Sequence, residues 1–117
     1  MSKAWWCGWT LAGLTLVGIG SSGWAEDSGA SRLTAREAQV FQRICAECHT
    51  RPGIGVPVIG DEEEWQARRV KGLDELLANA VNGLLGMPPL GTCSFCTEEE
   101  LRHLVAFLAG IPLDLEE

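Results

Sequence analysis

The chain has 117 residues, a length typical of one small domain. Its formal net charge is −7, and beyond residue 25 eight Lys and Arg stand against sixteen Asp and Glu, which gives −8. This balance argues against binding to nucleic acid or to an anionic membrane, and it favours a partner with a basic docking patch.

The first 25 residues have the three-part pattern of a secretory signal peptide. Lys3 is their only charged residue, an apolar centre runs from Leu11 to Ile19, and the small residues Gly23 and Ala25 suit a signal peptidase. We expect cleavage after Ala25 and export of the remaining 92 residues to the periplasm.

An uncleaved membrane anchor is the alternative for this segment. The 17 residues 4–20 carry no charge, which is at the lower limit of about 17–25 residues for a membrane span. Residues 26–32 are small and polar and are predicted to be a flexible leader. The functional domain is therefore predicted to be residues 33–117.

Two helices are predicted in the first half of this domain. Thr34 and Glu37 form a capping box, and apolar residues at helical spacing continue the first helix to about Cys48. Residues 51–60 contain three glycines and two prolines and are predicted to be a loop. The acidic residues 61–64 are interpreted as the first turn of a second helix, where negative charges oppose the helix dipole. A cation site is the less favoured interpretation.

Two more helices are predicted in the second half. Asp74 is the expected N-cap of the third helix, which ends near Asn82-Gly83. Residues 84–95 form a loop, and Thr97 begins a last helix with a second capping box; that helix stops at Gly110. No segment alternates with a period of two, so the prediction is an all-α fold. Its core of few residues needs a cofactor or staple.

Cys45, Cys48 and His49 are spaced so that all three side chains share one face of the first helix. Two thiols at this spacing can add to the two vinyl groups of a porphyrin, and the adjacent imidazole can then reach the iron. Cys-x-x-Cys-His is the signature of this attachment. The sequence therefore predicts one covalently bound haem c, with His49 as a ligand of its iron.

Met87 is the candidate for the second axial ligand. It is the only methionine after Met1, and it precedes Pro88-Pro89, which hold it in an extended conformation. The alternative for a lone methionine such as Met87 is a packing role in the hydrophobic core. His103 is predicted to face solvent, opposite the leucine stripe of the last helix, and not to bind iron. Ligation by His and Met raises the reduction potential of haem iron relative to ligation by two nitrogens, and it leaves no open position on the iron for a substrate. We therefore expect an electron carrier and not an enzyme.

Cys93 and Cys96 have no following histidine, so they are not a second haem site. In an oxidising compartment the expected state is a disulfide that ties the Met87 loop to the last helix. A redox-active pair is the alternative.

The chain resembles the class I c-type cytochromes, and more narrowly the small bacterial cytochrome c-five subgroup. The resemblance covers nearly all of the predicted mature chain, and Met-Pro-Pro followed by Cys-x-x-Cys is its most specific part. The residues that carry it are Cys45-Ala46-Glu47-Cys48-His49, Pro57, Gly60-Asp61, Trp65, Asn79-Ala80-Val81-Asn82-Gly83, Met87-Pro88-Pro89, Cys93-Ser94-Phe95-Cys96 and Thr97-Glu98-Glu99-Glu100.

This resemblance implies a compact helical fold, about four short helices around one haem, in which the first and last helices cross. Phe41 and Phe107 would meet at that crossing. The carbonyl of Pro57 would accept the second imidazole hydrogen of His49 and fix its tautomer. The implied role is one-electron transfer between respiratory redox proteins, with membrane contact only through redox complexes or an uncleaved anchor.

Two other functions remain open at this level. Cys45, Cys48, Cys93 and Cys96 form two Cys-x-x-Cys pairs, a pattern that also suits a zinc-binding module. A haem subunit or sensor in which Met87 leaves the iron is the second alternative.

Overall fold

The computed structural model describes residues 32–113. The predicted signal peptide, the leader up to residue 31 and the last four residues of the predicted domain lie outside the described residues. Within the described part, no helix combines the length and the apolar character that crossing a membrane requires.

The first helical unit is continuous but not uniform. It consists of α1 (Ala35–Val40), a π-helical turn (Phe41–Cys45) and α2 (Ala46–His49). The capping box is confirmed, because Thr34 Oγ1 accepts from the Glu37 amide and Glu37 Oε2 accepts from the Thr34 amide at 2.7 Å. The sequence did not predict the π-helical turn, which ends where the cysteine motif begins.

The next two helices are α3 (Glu62–Arg69) and α4 (Leu73–Asn82). Asp61 caps α3, and the three glutamates after it lie in the first turn, where the acidic run 61–64 was expected. The prediction that Asp74 caps α4 is wrong. Gly72 lies at the cap position with a φ of 85°, and Asp74 lies in the first turn. Its carboxylate instead pairs with Arg102 of the last helix, at 2.6 Å.

A 3-10 turn (Pro89–Thr92) precedes the last helix, α5 (Glu98–Ala109). Thr97 and Glu100 form the predicted capping box, and Gly110 ends the helix in the left-handed conformation. Among residues 32–113 the only β-type pairing is an isolated bridge between Leu84 and Met87. The all-α prediction is therefore confirmed.

The core lies where the first helical unit meets α5. The rings of Phe41 and Phe107 meet edge to face, with centroids 5.0 Å apart, as the resemblance implied. The buried members of this cluster are Val40, Phe41, Trp65, Cys93, Leu104, Leu108 and Ala109.

His103 does not face solvent, and the prediction that it does is wrong. Its Nδ1 lies 2.6 Å from Oε1 of Glu37, whose side chain is buried. The helical wheel of α5 alone could not show this contact, because the partner comes from α1, 66 positions earlier. The pair ties the first helix to the last one.

Candidate haem-binding site

A cavity of about 300 Å³ lies between the end of the first helical unit and α5. Cys45, Cys48, His49 and Met87 all line it, although Met87 is 38 positions from His49 in the chain. The remaining walls are mainly apolar and include Ile44, Val56, Ala80, Leu90, Leu101, Leu104, Val105 and Leu108. The structure thus brings the two predicted attachment cysteines and the two predicted axial ligands to one apolar chamber.

His49 is buried, and the loop beside it sets which ring nitrogen carries the hydrogen. Nδ1 lies 2.7 Å from the carbonyl oxygen of Pro57. A carbonyl can only accept a hydrogen bond, so Nδ1 carries the hydrogen and donates it. Nε2 then keeps its lone pair, which is the form of imidazole that binds a metal.

Two hydrogen bonds tie the segment that carries the Pro57 carbonyl to the first helical unit and to α3. The amide of Ile59 donates to the carbonyl of His49 at 2.8 Å. The indole N–H of Trp65 donates to the carbonyl of Val58, also at 2.8 Å. The peptide group between Val58 and Ile59, which directly follows the Pro57 carbonyl, is therefore held on both of its sides.

Met87 lies in a tight turn closed by its own backbone. Its amide donates to the carbonyl of Leu84 at 2.9 Å, and its carbonyl accepts from the Leu84 amide at 3.1 Å. Gly83 packs against this turn so closely that a Cβ atom there would lie 2.9 Å from the Met87 oxygen. Glycine at this position is what lets the turn approach the end of α4.

The two predicted attachment cysteines are unpaired thiols in the structure, Cys45 half-buried and Cys48 exposed. Burial raises the pKa of the Cys45 thiol above its usual value. Cys93 and Cys96 lie outside this cavity and are bonded to each other, with Cα atoms 5.4 Å apart. Cys93 is almost fully buried in the core.

These residues fit a covalent haem. Two thiols on one helical face, an imidazole with a free Nε2 and a thioether line the same chamber, and its apolar walls suit a porphyrin. Sequence reasoning did not find the roles of Gly83 and Trp65. A glycine at the end of a helix and a tryptophan beside an acidic turn have common structural explanations, so no local signal marks either one.

Comparison with known proteins shows the family to which this chain belongs. Residues 32–108 match the family model described as "Cytochrome C oxidase, cbb3-type, subunit III". The chain belongs to the small class I c-type cytochromes, which carry a covalently bound haem c with its iron, and within them to the cytochrome c5 subgroup.

Two curated relatives support the subgroup. Cytochrome c5 of Ectopseudomonas mendocina is 39% identical over 80 residues, which cover 66% of this chain and 92% of that protein. Cytochrome c5 of Azotobacter vinelandii is 36% identical over 74 residues, which cover 62% of this chain and 89% of that protein.

A solved structure supports the fold. The structure described as "Crystal structure of electron transfer complex of nitrite reductase with cytochrome c" contains a similar chain, with a TM-score of 0.61 and 28% identity. The match covers 70% of this chain and 100% of that chain.

Proposed function

We propose that this chain is an exported one-electron carrier in which Cys45 and Cys48 form the thioethers and His49 and Met87 are the axial ligands. One observation carries the proposal: these four side chains line a single apolar cavity. The bound haem would supply a one-electron couple at its iron. The protein supplies attachment, orientation and exclusion of water.

The two axial residues have different supports. His49 is held as an Nδ1–H tautomer by the Pro57 carbonyl, which increases the basicity of the other ring nitrogen. Met87 is held by the hydrogen-bonded turn that begins at Leu84. If His49 and Met87 both bound the iron, no coordination position would remain for a substrate, which supports carriage of electrons and not catalysis.

The partners are proposed to be other redox proteins. The similar solved chain comes from an electron-transfer complex with a nitrite reductase, which shows that a cytochrome of this fold can dock on a redox enzyme. The present chain is acidic, so we expect a partner with a basic docking patch and an association rate that falls as salt is added. Its location is proposed to be the periplasm, following cleavage after Ala25.

Replacing Met87 tests the ligand assignment. The Met87→Ala variant should lose the methionine–iron charge-transfer band of the oxidised protein and should bind carbon monoxide when reduced. Its reduction potential should fall by on the order of a tenth of a volt or more, within the ~0.8 V range that axial ligands control. Visible spectra and potentiometric titration of periplasmic protein measure these changes.

Leu85→Ala is the matched control, because Leu85 lies in the same turn and its side chain is 99% exposed. It should keep the band and should not bind carbon monoxide. A band that survives in Met87→Ala would reject the methionine as ligand. Carbon monoxide binding to the unmodified reduced protein at neutral pH would favour the alternative of a sensor with a labile Met87.

The zinc-module alternative has less support. It needs Cys93 and Cys96 as thiolates, whereas these two residues are bonded to each other. Within residues 32–113, no three His, Cys, Asp or Glu side chains converge as a metal site would require. Intact mass of the periplasmic protein separates the two functions, because covalent haem adds a mass that bound zinc does not.

A further inference from the structure

Trp65 joins the protein core to the loop beside His49. Its ring is buried in the same cluster as Phe41 and Leu104. Its indole N–H leaves that cluster and donates to the carbonyl of Val58 at 2.8 Å. A buried indole N–H needs an acceptor, and here that acceptor is a carbonyl of the loop beside His49.

The loop that receives this bond is poorly held by its own sequence. Gly53, Gly55 and Gly60 all have φ of 80°, a conformation that glycine adopts easily and also leaves easily. Most of residues 50–55 are exposed to solvent. The Pro57 carbonyl therefore depends for its position on the few bonds that the end of the loop makes with other elements.

Helix α3, which carries Trp65, is well anchored. The guanidinium of Arg69 donates to the carbonyl of Ala109 at the end of α5, at 2.9 Å, and also pairs with Glu62. The indole N–H is thus a donor carried by an anchored helix, whereas the Val58 carbonyl belongs to the glycine-rich loop.

We propose that Trp65 is a positioning residue for the His49 ligand. The indole N–H fixes the Val58 carbonyl, the preceding peptide carbonyl at Pro57 is fixed with it, and that carbonyl accepts the Nδ1–H of His49. The inference rests on the proposed function in one respect, that His49 binds the haem iron.

Through this arrangement Trp65 influences the reduction potential of the haem although it does not contact His49. A firm hydrogen bond from Nδ1 makes the imidazole a stronger donor and so favours the oxidised iron. If the Val58 and Pro57 carbonyls move more freely, the bond at Nδ1 weakens on average. The potential should then rise, and the Nδ1 hydrogen should exchange faster with solvent.

Loss of the indole N–H should not unfold the loop. The Val58 carbonyl also accepts from the amide of Asp61 at 3.1 Å, so it keeps one partner when Trp65 no longer donates. The separate bond from the Ile59 amide to the His49 carbonyl also remains. Local order, and not the fold, is therefore the property that the substitution changes.

The sequence allows an unusually clean substitution. The other four tryptophans are residues 5, 6, 9 and 24, so Trp65 is the only one beyond the predicted cleavage site. Replacing it with 3-benzothienylalanine keeps the size of the bicyclic ring and removes only the N–H. Replacing it with 4-fluorotryptophan is the matched control, because that analogue keeps the N–H.

The holoprotein is compared in three forms by proton NMR and potentiometry. The benzothienyl form should show exchange of the His49 Nδ1 hydrogen about tenfold faster, the change expected for loss of one ordinary hydrogen bond. Its potential should be higher than that of the natural protein. The fluorotryptophan form should match the natural protein in both respects.

A second variant separates this role from general packing. Leu77→Ala removes a buried side chain of α4 that does not line the cavity, so it should lower stability and leave both His49 measurements unchanged. Equal exchange and equal potential in the benzothienyl form and the natural protein would overturn the positioning role. Absence of imidazole ligation in the natural protein would instead reject the proposed function, and its spectrum detects that separately.

Discussion

The two loops that flank the proposed haem cavity are stabilised in opposite ways. The histidine-side loop (residues 50–60) has positive φ only at glycines. The methionine-side loop (residues 83–96) has positive φ at three larger residues as well, Leu85, Leu90 and Thr92. The first loop is held by bonds to His49 and Trp65, whereas the second is closed largely by bonds within itself.

This difference assigns a different weakness to each loop. Each positive φ at a larger residue costs on the order of 1–3 kcal/mol, so the methionine-side loop stores strain that its prolines and its internal bonds must offset. It should be sensitive to changes inside the loop. The histidine-side loop is nearly free of strain and should be sensitive to changes in the helices that hold it.

Gly83→Ala is expected to have the largest effect. Gly83 has φ 82° and ψ 150°, a region that only glycine adopts readily, and a Cβ would lie 2.9 Å from the Met87 oxygen and 3.0 Å from the Pro89 nitrogen. Strain and overpacking together should lower the free energy of unfolding by about 3–4 kcal/mol. The methionine–iron band should weaken. Denaturant titration and visible spectra measure both.

Gly55→Ala is its counterpart on the histidine side. Gly55 has a similar φ of 80°, but a Cβ there would meet no atom within 4 Å. Only backbone strain is added, so the loss should be about 1 kcal/mol and the band should persist. Equal losses in the two variants would show that contact with the methionine turn contributes nothing.

The comparison also explains which features the sequence could predict. The two capping boxes at Thr34 and Thr97 depend on residues three positions apart, so a local pattern suffices to find them. The attachment motif and the Met-Pro-Pro turn are similarly local. The four helices and the ligand candidates followed from such short-range signals.

What the sequence missed depends on contacts between distant residues. The leucine stripe of α5 predicts an exposed His103, but its partner Glu37 comes from another helix. The local sequence likewise predicts Asp74 as a cap, whereas its carboxylate pairs with Arg102 of α5. The hydrogen bond of Trp65 belongs to the same class. The π-helical turn that ends at Cys45 has no local sequence pattern that marks it.

Glu37→Gln is expected to have the next largest effect, and it should loosen both loops together. Glu37 joins α1, which leads to His49, to α5, which begins after the disulfide. Its carboxylate accepts from the Thr34 amide and from His103, so losing the charge should lower the free energy of unfolding by about 2–3 kcal/mol at neutral pH. Thermal or denaturant unfolding measures this loss.

The same variant should change the response to acid. Burial raises the pKa of the Glu37 carboxyl, but the bonds from Thr34 and His103 outweigh it, and the net pKa lies below the ordinary 4.5. Its contribution is therefore complete above that value and is lost as the pH falls below it. Glu37→Gln should flatten this acid decline. Glu100 also has a lowered pKa, from its bond with Arg36, so some decline should remain.

Removing the disulfide should cost less stability than Gly83→Ala or Glu37→Gln, but the loss should be the most selective one. For so short a loop, chain entropy predicts that Cys93→Ala with Cys96→Ala costs about 2 kcal/mol. Because the bond closes the end of the methionine-side loop, methionine ligation should fail at lower denaturant than in the natural protein, while the His49 Nδ1 exchange stays unchanged. Equilibrium denaturant titrations that follow the charge-transfer band and the helical content in parallel distinguish loss of methionine ligation from global unfolding. If both signals shift by the same amount, the disulfide stabilises the whole fold and the contrast between the loops does not extend to it.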